Sequence, residues 1–293
     1  MTGERRVLEA RTAVRNVPIK PREWERLLDL DDTEAVEVDG GEMAFVLRDG
    51  QLHLMFAFDS NEIMKAAFNP MWAALKPKLK RYQVPYLRLD LVSFPVREWI
   101  DHMLDEADFL PFAEWIDMEH REPSDVLPPE APAGIVIRKA AAKDTPRILE
   151  IESEAYDEYS DSPEVMRTRL DGALWSGVLE EDGTVVAYAV NAEPEDGIGR
   201  ILSAAVAPEA RGRGLGRVIV QTAAYQLAAS GSRQLAVLAR PDIPHSIETA
   251  RAVGFRPGRS GTEFRRLLDE KANAARRKQR HVEGMKVRFG EWR

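Results

Sequence analysis

The stretch Val206-Ala-Pro-Glu-Ala-Arg211-Gly212-Arg213-Gly214-Leu215-Gly216-Arg217 constrains this chain more than any other. It follows a small-residue apolar run at 201–207 that reads as a strand. It precedes Val218, Ile219, Ala223 and Leu227, whose spacing predicts a long helix stopped near Gly231. A strand entering a helix through glycines brings backbone N–H groups close to a ligand, and the helix start adds unpaired donors and partial positive charge. Such a turn suits a phosphate or pyrophosphate, with Arg211, Arg213 and Arg217 adding charge. The Walker pattern needs Lys and then Ser or Thr after its last glycine, where this chain has Arg217-Val218. The dinucleotide fingerprint also fails, since the spacing is Gly212-x-Gly214-x-Gly216. A turn that merely joins strand to helix is the plain alternative, but it does not call for three arginines.

Around this turn the patterning gives a repeated order of elements. In the second half, strands are expected at 135–140, 174–180, 184–190, 201–207, 234–238 and 263–268, with Asp182-Gly183 as a hairpin turn. Asp144 is placed to cap a helix carrying Ile148, Ile151 and Ala155, and a short helix at 246–253 ends at Gly254. The first half reads nearly alike: a helix at 23–30, then strands at 35–38, 43–47 and 52–58 joined through Asp39-Gly40-Gly41 and Asp49-Gly50. A helix at 62–79, interrupted near Pro70, a strand at 86–91, a helix at 96–106 and a closing strand at 112–118 follow. Two runs of one order argue for a tandem duplication. Between them, residues 121–134 hold four prolines, which deny helix and ladder hydrogen bonding. The expected division is a domain at 1–122, a linker at 123–133, a domain at 134–268 and a basic tail at 269–293.

Composition narrows the chemistry. The chain of 293 residues has no cysteine, so disulfides, thiolate metal sites and a cysteine nucleophile are excluded. His53, His102, His120, His245 and His281 share no metal-ligand spacing, and no metal is expected. The opening MTGERRVLEAR lacks the apolar segment of a signal peptide, and no run approaches the ~20 apolar residues of a membrane span. A cytoplasmic protein without membrane contact is the expectation. Residues 1–120 carry 15 Lys and Arg against 23 Asp and Glu, whereas 265–293 carry 10 against 4. That basic end, without interleaved aromatics, reads as a solvated helix face rather than a nucleic-acid site.

The loop Arg211-Gly212-Arg213-Gly214-Leu215-Gly216, the opening IRKAAAKDTPRILEIE and the ending Ala252-Val253-Gly254-Phe255 together resemble the GNAT superfamily of acyl-CoA-dependent N-acyltransferases. The resemblance covers about 135–268. It implies an α/β fold of two tandem GNAT-like domains, each a mostly antiparallel mixed sheet flanked by helices. It further implies that acetyl-CoA is the cosubstrate. Its pyrophosphate would lie on the amides of Arg211, Gly212, Arg213, Gly214, Leu215, Gly216 and Arg217, with the pantetheine arm against Val206. The small side chains Ser203, Ala204 and Ala205 suit such an approach. Where the first half should carry its loop it reads Asp59-Ser60-Asn61-Glu62, without glycine. Ser60 or Asp59 can cap that helix, and two carboxylates would repel a pyrophosphate. The first half thus resembles a degenerate GNAT-like domain.

Transfer of an acyl group from a thioester to an amine needs a deprotonated amine, a donor for the developing oxyanion and a proton for the leaving thiolate. The resemblance assigns the oxyanion donor to the backbone N–H of Val206. Ala250 stands where many members carry a tyrosine acid, and Arg200 where some carry a glutamate. Candidate replacements are Glu152, expected to face solvent from its helix, Tyr156 with Tyr159, and His245 at the start of the short helix. The resulting expectation is an acetyl-CoA-dependent N-acetyltransferase acting on a primary amine, small molecule or peptide, by direct transfer in a ternary complex. Alternatives are a non-catalytic acyl-CoA-binding or regulatory protein and a peptide-binding scaffold.

Overall fold

Strands and helices follow one another along the described chain, which in the computed structural model comprises residues 14–48, 50–93 and 98–289. The elements run in the order β1 (Val14–Arg15), α1 (Pro21–Leu28), β2 (Glu34–Val38), β3 (Gly41–Arg48), β4 (Gln51–Phe58), α2 (Asn61–Leu75), β5 (Tyr86–Val92), α3 (Glu98–Glu106) and β6 (Leu110–His120). There follow β7 (Ile135–Lys139), α4 (Thr145–Tyr156), α5 (Pro163–Asp171), β8 (Trp175–Glu181), β9 (Thr184–Asn191), β10 (Ile198–Val206) and α6 (Leu215–Ala229). The last are β11 (Gln234–Ala239), α7 (Pro244–Ala252), β12 (Arg256–Leu267) and α8 (Glu270–Phe289). The charged opening at 1–11, Asp49 of the second hairpin, the start of the helix expected from 96 and the last four residues of the basic tail lie outside the described residues.

Contacts group the chain into two compact units, residues 1–113 with 261–293, and residues 114–260. The proline-rich stretch therefore lies inside the second unit. There Val126 is buried in the core and Gln221 of α6 donates to the carbonyls of Leu127 and Pro128. In the first unit the strands order as β2-β3-β4-β5-β12, with β1 against β4. In the second they order as β6-β11-β10-β9-β8-β7. In each sheet one central pair is parallel, β4 with β5 and β10 with β11, and the other pairs are antiparallel. Both are mixed sheets flanked by helices, as expected. The closing strands are exchanged, however: Gly261–Leu267 of β12 registers with β5, and Ile116–His120 of β6 registers with β11.

Three local expectations change. The helix over Pro70 is not interrupted there, because Pro70 and Ala66 both face water, where the carbonyl that loses its partner is hydrated. Met64, Phe68, Met71, Trp72 and Leu75 hold α2 on the sheet, each worth about 1.5–3 kcal/mol of burial. The chain then tightens into a 3-10 turn at Lys76–Arg81. Asp144 stands at the N-cap of α4, as expected, but its side chain makes no cap hydrogen bond. Its carboxylate accepts from Ala141 N–H at 2.8 Å and from Arg138 at 2.6 and 2.9 Å. Helix α5, which its sequence pattern does not announce, is capped by the Ser162 hydroxyl.

Candidate functional site

The site begins where two neighbouring strands stop pairing. β10 keeps its ladder with β9 as far as Val206↔Ala187, but its parallel ladder with β11 ends at Ile201↔Val237. β11 meanwhile continues against β6 to Ala239↔Ile116. Beyond Ile201 the two central strands part and leave an edge in the middle of the sheet. Ala207 N–H donates to Val186 O, which sets residues 203, 205 and 207 against β9 and turns the backbone groups of Ala204 and Val206 toward the gap. Side chains meet these outward carbonyls: Tyr156 hydroxyl donates to Ala204 O at 2.5 Å and Arg211 Nε to Val206 O at 3.3 Å. The N–H groups of Ala204 and Val206 point the same way.

The glycine turn follows directly. After a 3-10 turn at Pro208–Ala210, Gly212 and Gly214 take φ of +77° and +78°, a conformation that favours glycine. A Cβ at either would meet nothing within 4 Å, so both backbones face open space. Gly214 is the N-cap of α6 and supplies no side-chain cap. The first helical bond runs from Val218 N–H to Gly214 O, leaving the N–H groups of Leu215, Gly216 and Arg217 as donors at the helix start. Leu215 anchors this end by burying its side chain in the core, while Gly216 lies close to Thr249. Arg211, Arg213 and Arg217 are exposed. Arg213 is already engaged, donating from Nη1 and Nη2 to Glu181 at 2.8 and 2.5 Å, and it holds that carboxyl below its ordinary value.

Behind the parted edge lies a polar cluster that the sequence reading did not assemble. Glu152 does not face solvent: it is 3% exposed, because α4 turns it under the sheet. Tyr188 of β9 and Ser203 of β10 both donate to its Oε2, Ser203 at 3.0 Å, and Asp161 N–H donates to Oε1 at 3.0 Å. Tyr188 and Ser203 hydroxyls are themselves 2.8 Å apart. Burial raises the pKa of Glu152, and also those of Tyr156 and Tyr188. Tyr159 is pushed up to about 12, first by its hydrogen bond with Asp242 and then by burial, and Arg240 stacks on its ring at 4.8 Å. In the sequence Ser203 is one small side chain among several and Tyr188 one member of an apolar run, and neither carries a local mark of this cluster.

Other expected positions stay apart from this cluster. His245 is 91% exposed on α7, 3.6 Å from Glu248. Ala250 is buried in the core, and Arg200 reaches Asp117 at 3.2 Å. Among the described residues no group of three or more His, Asp or Glu is arranged to hold a metal ion. Nor is any described helix long and apolar enough to cross a membrane.

The first unit repeats the parting of strands, but its gap is filled. β4 pairs with β5 only at Leu52↔Leu87 and His53↔Arg88, while its ladder with β3 runs on to Phe58↔Gly41. Into that gap comes β1, with Val14↔Phe58 and Arg15↔Ala57. Asn16, fully buried, donates from Nδ2 to Leu54 O at 2.9 Å and accepts Phe56 N–H at 2.8 Å, while its carbonyl accepts Val92 N–H from β5. Ser60 caps α2 through Ile63 N–H at 3.2 Å, as expected.

Residues 142–255 match the Acetyltransferase (GNAT) family. A mycothiol acetyltransferase from Tsukamurella paurometabola is 28% identical over 147 residues, covering 43% of this chain and 50% of that protein. The chain thus spans about half the length of the curated relative it matches. A GCN5-related N-acetyltransferase from Sphaerobacter thermophilus shares the fold with a TM-score of 0.59 at 16% identity, over 85% of each chain. A tandem GNAT protein from the clavulanic acid biosynthesis pathway does so with a TM-score of 0.55 at 14% identity, over 89% of this chain and 85% of that one.

Proposed function

We propose, from the premise that residues 142–255 are a GNAT acetyltransferase domain, that this chain moves an acetyl group from acetyl-CoA to a primary amine by direct transfer in a ternary complex. The observation that carries this reading is the parting of β10 from β11 immediately before an uncapped, glycine-opened helix start. An extended amide-bearing arm can lie along the exposed edge of β10, with the pyrophosphate at the N–H groups of residues 212–217. Bound acetyl-CoA supplies the activated thioester. The N–H of Val206, fixed by its strand before any ligand arrives, is the donor for the oxygen that gains charge, which costs no reorganisation during reaction. The likeness to a mycothiol acetyltransferase supports the same class of transfer; the acceptor is a primary amine, small molecule or peptide.

The first half is read as a GNAT-like domain without an acyl-CoA site, since its strand gap holds Asn16 and its helix start is capped by Ser60. Calorimetric titration with acetyl-CoA is expected to give one site per chain. Gly214→Asp, which puts a carboxylate and a strained φ into the turn, is expected to abolish binding, whereas Glu62→Gln leaves it intact. No binding to the wild-type chain would overturn the reading. A second reading, acyl-CoA binding without transfer, is favoured by the burial of Ala250 and the engagement of Arg200 with Asp117. Release of free CoA thiol over an amine panel separates the two.

A further inference from the structure

Resting on that reading, we propose that Glu152 is the proton acceptor for the incoming amine, reached through the Ser203 and Tyr188 hydroxyls, and that the acceptor class is therefore an alkyl ammonium. A buried carboxylate with two hydroxyls on one oxygen, placed behind the strand that carries the gap, is a costly arrangement for packing alone. Its position is informative. Ser203 directly precedes Ala204, whose carbonyl is held by Tyr156, and Tyr156 lies one turn along α4 from Glu152. The Ser203 and Tyr188 hydroxyls thus meet at the carboxylate, one residue along β10 from the carbonyl that Tyr156 holds at the parted edge. The groups facing Glu152 are Tyr156 from its own helix, Tyr188 from β9, Ser203 from β10, and Asp161 from the turn after α4. Arg169 of α5 neutralises Asp161, and Arg240 lies beyond Tyr156. No cation bonds Glu152 directly among the described residues, so it keeps its capacity to take a proton. Burial moves its pKa upward, toward the working range of a base.

The need for such a group selects the substrate. An alkyl ammonium, with an ordinary pKa of about 10 as in lysine, is protonated at neutral pH and cannot attack. An aryl amine is already neutral there. In the proposed step one N–H bond of the ammonium breaks and its proton passes along the hydroxyls, so that a new O–H bond forms on Glu152. The freed nitrogen lone pair forms the amide bond as the C–S bond breaks with its electron pair on sulfur. A second N–H proton leaves with that sulfur as the thiol, and Glu152 later returns its proton to water. Charge and protons balance without an oxidant or metal.

The test compares wild-type, Glu152→Gln and Ser203→Ala chains on a small alkylamine and an arylamine across pH 6–10, with acetyl-CoA affinity and melting midpoint measured in parallel. Glu152→Gln is expected to lower kcat/KM for the alkylamine by about 10²–10⁴-fold at neutral pH. The deficit shrinks as pH approaches the amine's own pKa, and the arylamine deficit is at least about tenfold smaller. Acetyl-CoA affinity stays within about threefold, so a general collapse of the site would be visible. Ser203→Ala, which keeps the carboxylate, is expected to show the same pH trend at smaller amplitude and decides the matter if Glu152→Gln does not fold. Equal losses on both amines, an unchanged pH profile, or a wild type that acetylates only arylamines would overturn the proposal while leaving acetyl transfer standing. A wild type that binds acetyl-CoA yet acetylates neither amine overturns both.

Discussion

At the scale of single residues, much of the site is set by who already holds whom. Arg213, the middle arginine of the turn, spends its guanidinium on Glu181 of β8. Both side chains are partly exposed, so the pair is weak and screened by salt, and a ligand phosphate can displace it. Glu181→Gln is therefore expected to tighten acetyl-CoA binding by about two- to fivefold at low salt, with the gain vanishing at high salt, as read by calorimetry. A second residue couples structure to pH. His120 packs edge-to-face on Phe255 at 5.5 Å and lies 2.7 Å from where a Cβ of Gly254 would stand, so Gly254, with φ of +105°, must be glycine. Burial lowers the His120 pKa, which means the unfolded chain binds the extra proton first as pH falls through about 6.5. Stability contributed here is present above that pH and declines below it. Urea unfolding at pH 8 and pH 5.5 is expected to show the decline, and His120→Phe to reduce it.

At the scale of elements, two residues of strand fill the gap where β4 leaves β5. β1 is too short to be seen in a pattern of alternation, yet with Asn16 it satisfies the backbone of β4 and β5 where they part. Asn16→Ala leaves Leu54 O and Phe56 N–H buried without those partners and is expected to cost about 2–4 kcal/mol in urea unfolding. The order of strands and helices was legible because alternation, turn glycines and caps are local signals, and the turn at 211–216 was legible for the same reason. Glu152 was not. Its partners lie 36 and 51 residues away, and a carboxylate on a helix carries no mark of being turned inward. The exchange of closing strands was equally hidden. The apolar pattern of Leu110–His120 marks a half-buried strand, but any sheet edge of suitable length satisfies it.

At the scale of the whole molecule, the two repeats expected from the sequence pattern and the division in space do not coincide. The unit that carries the glycine turn is closed by Ile116–His120, which belong to the first repeat, and the other unit is closed by Gly261–Leu267 from the second. A protein made of the second repeat alone would present β11 with its ladder donors and acceptors bare along one side, an invitation to pair with another copy. A cut at the prolines therefore parts each set of strands from the strand that closes it.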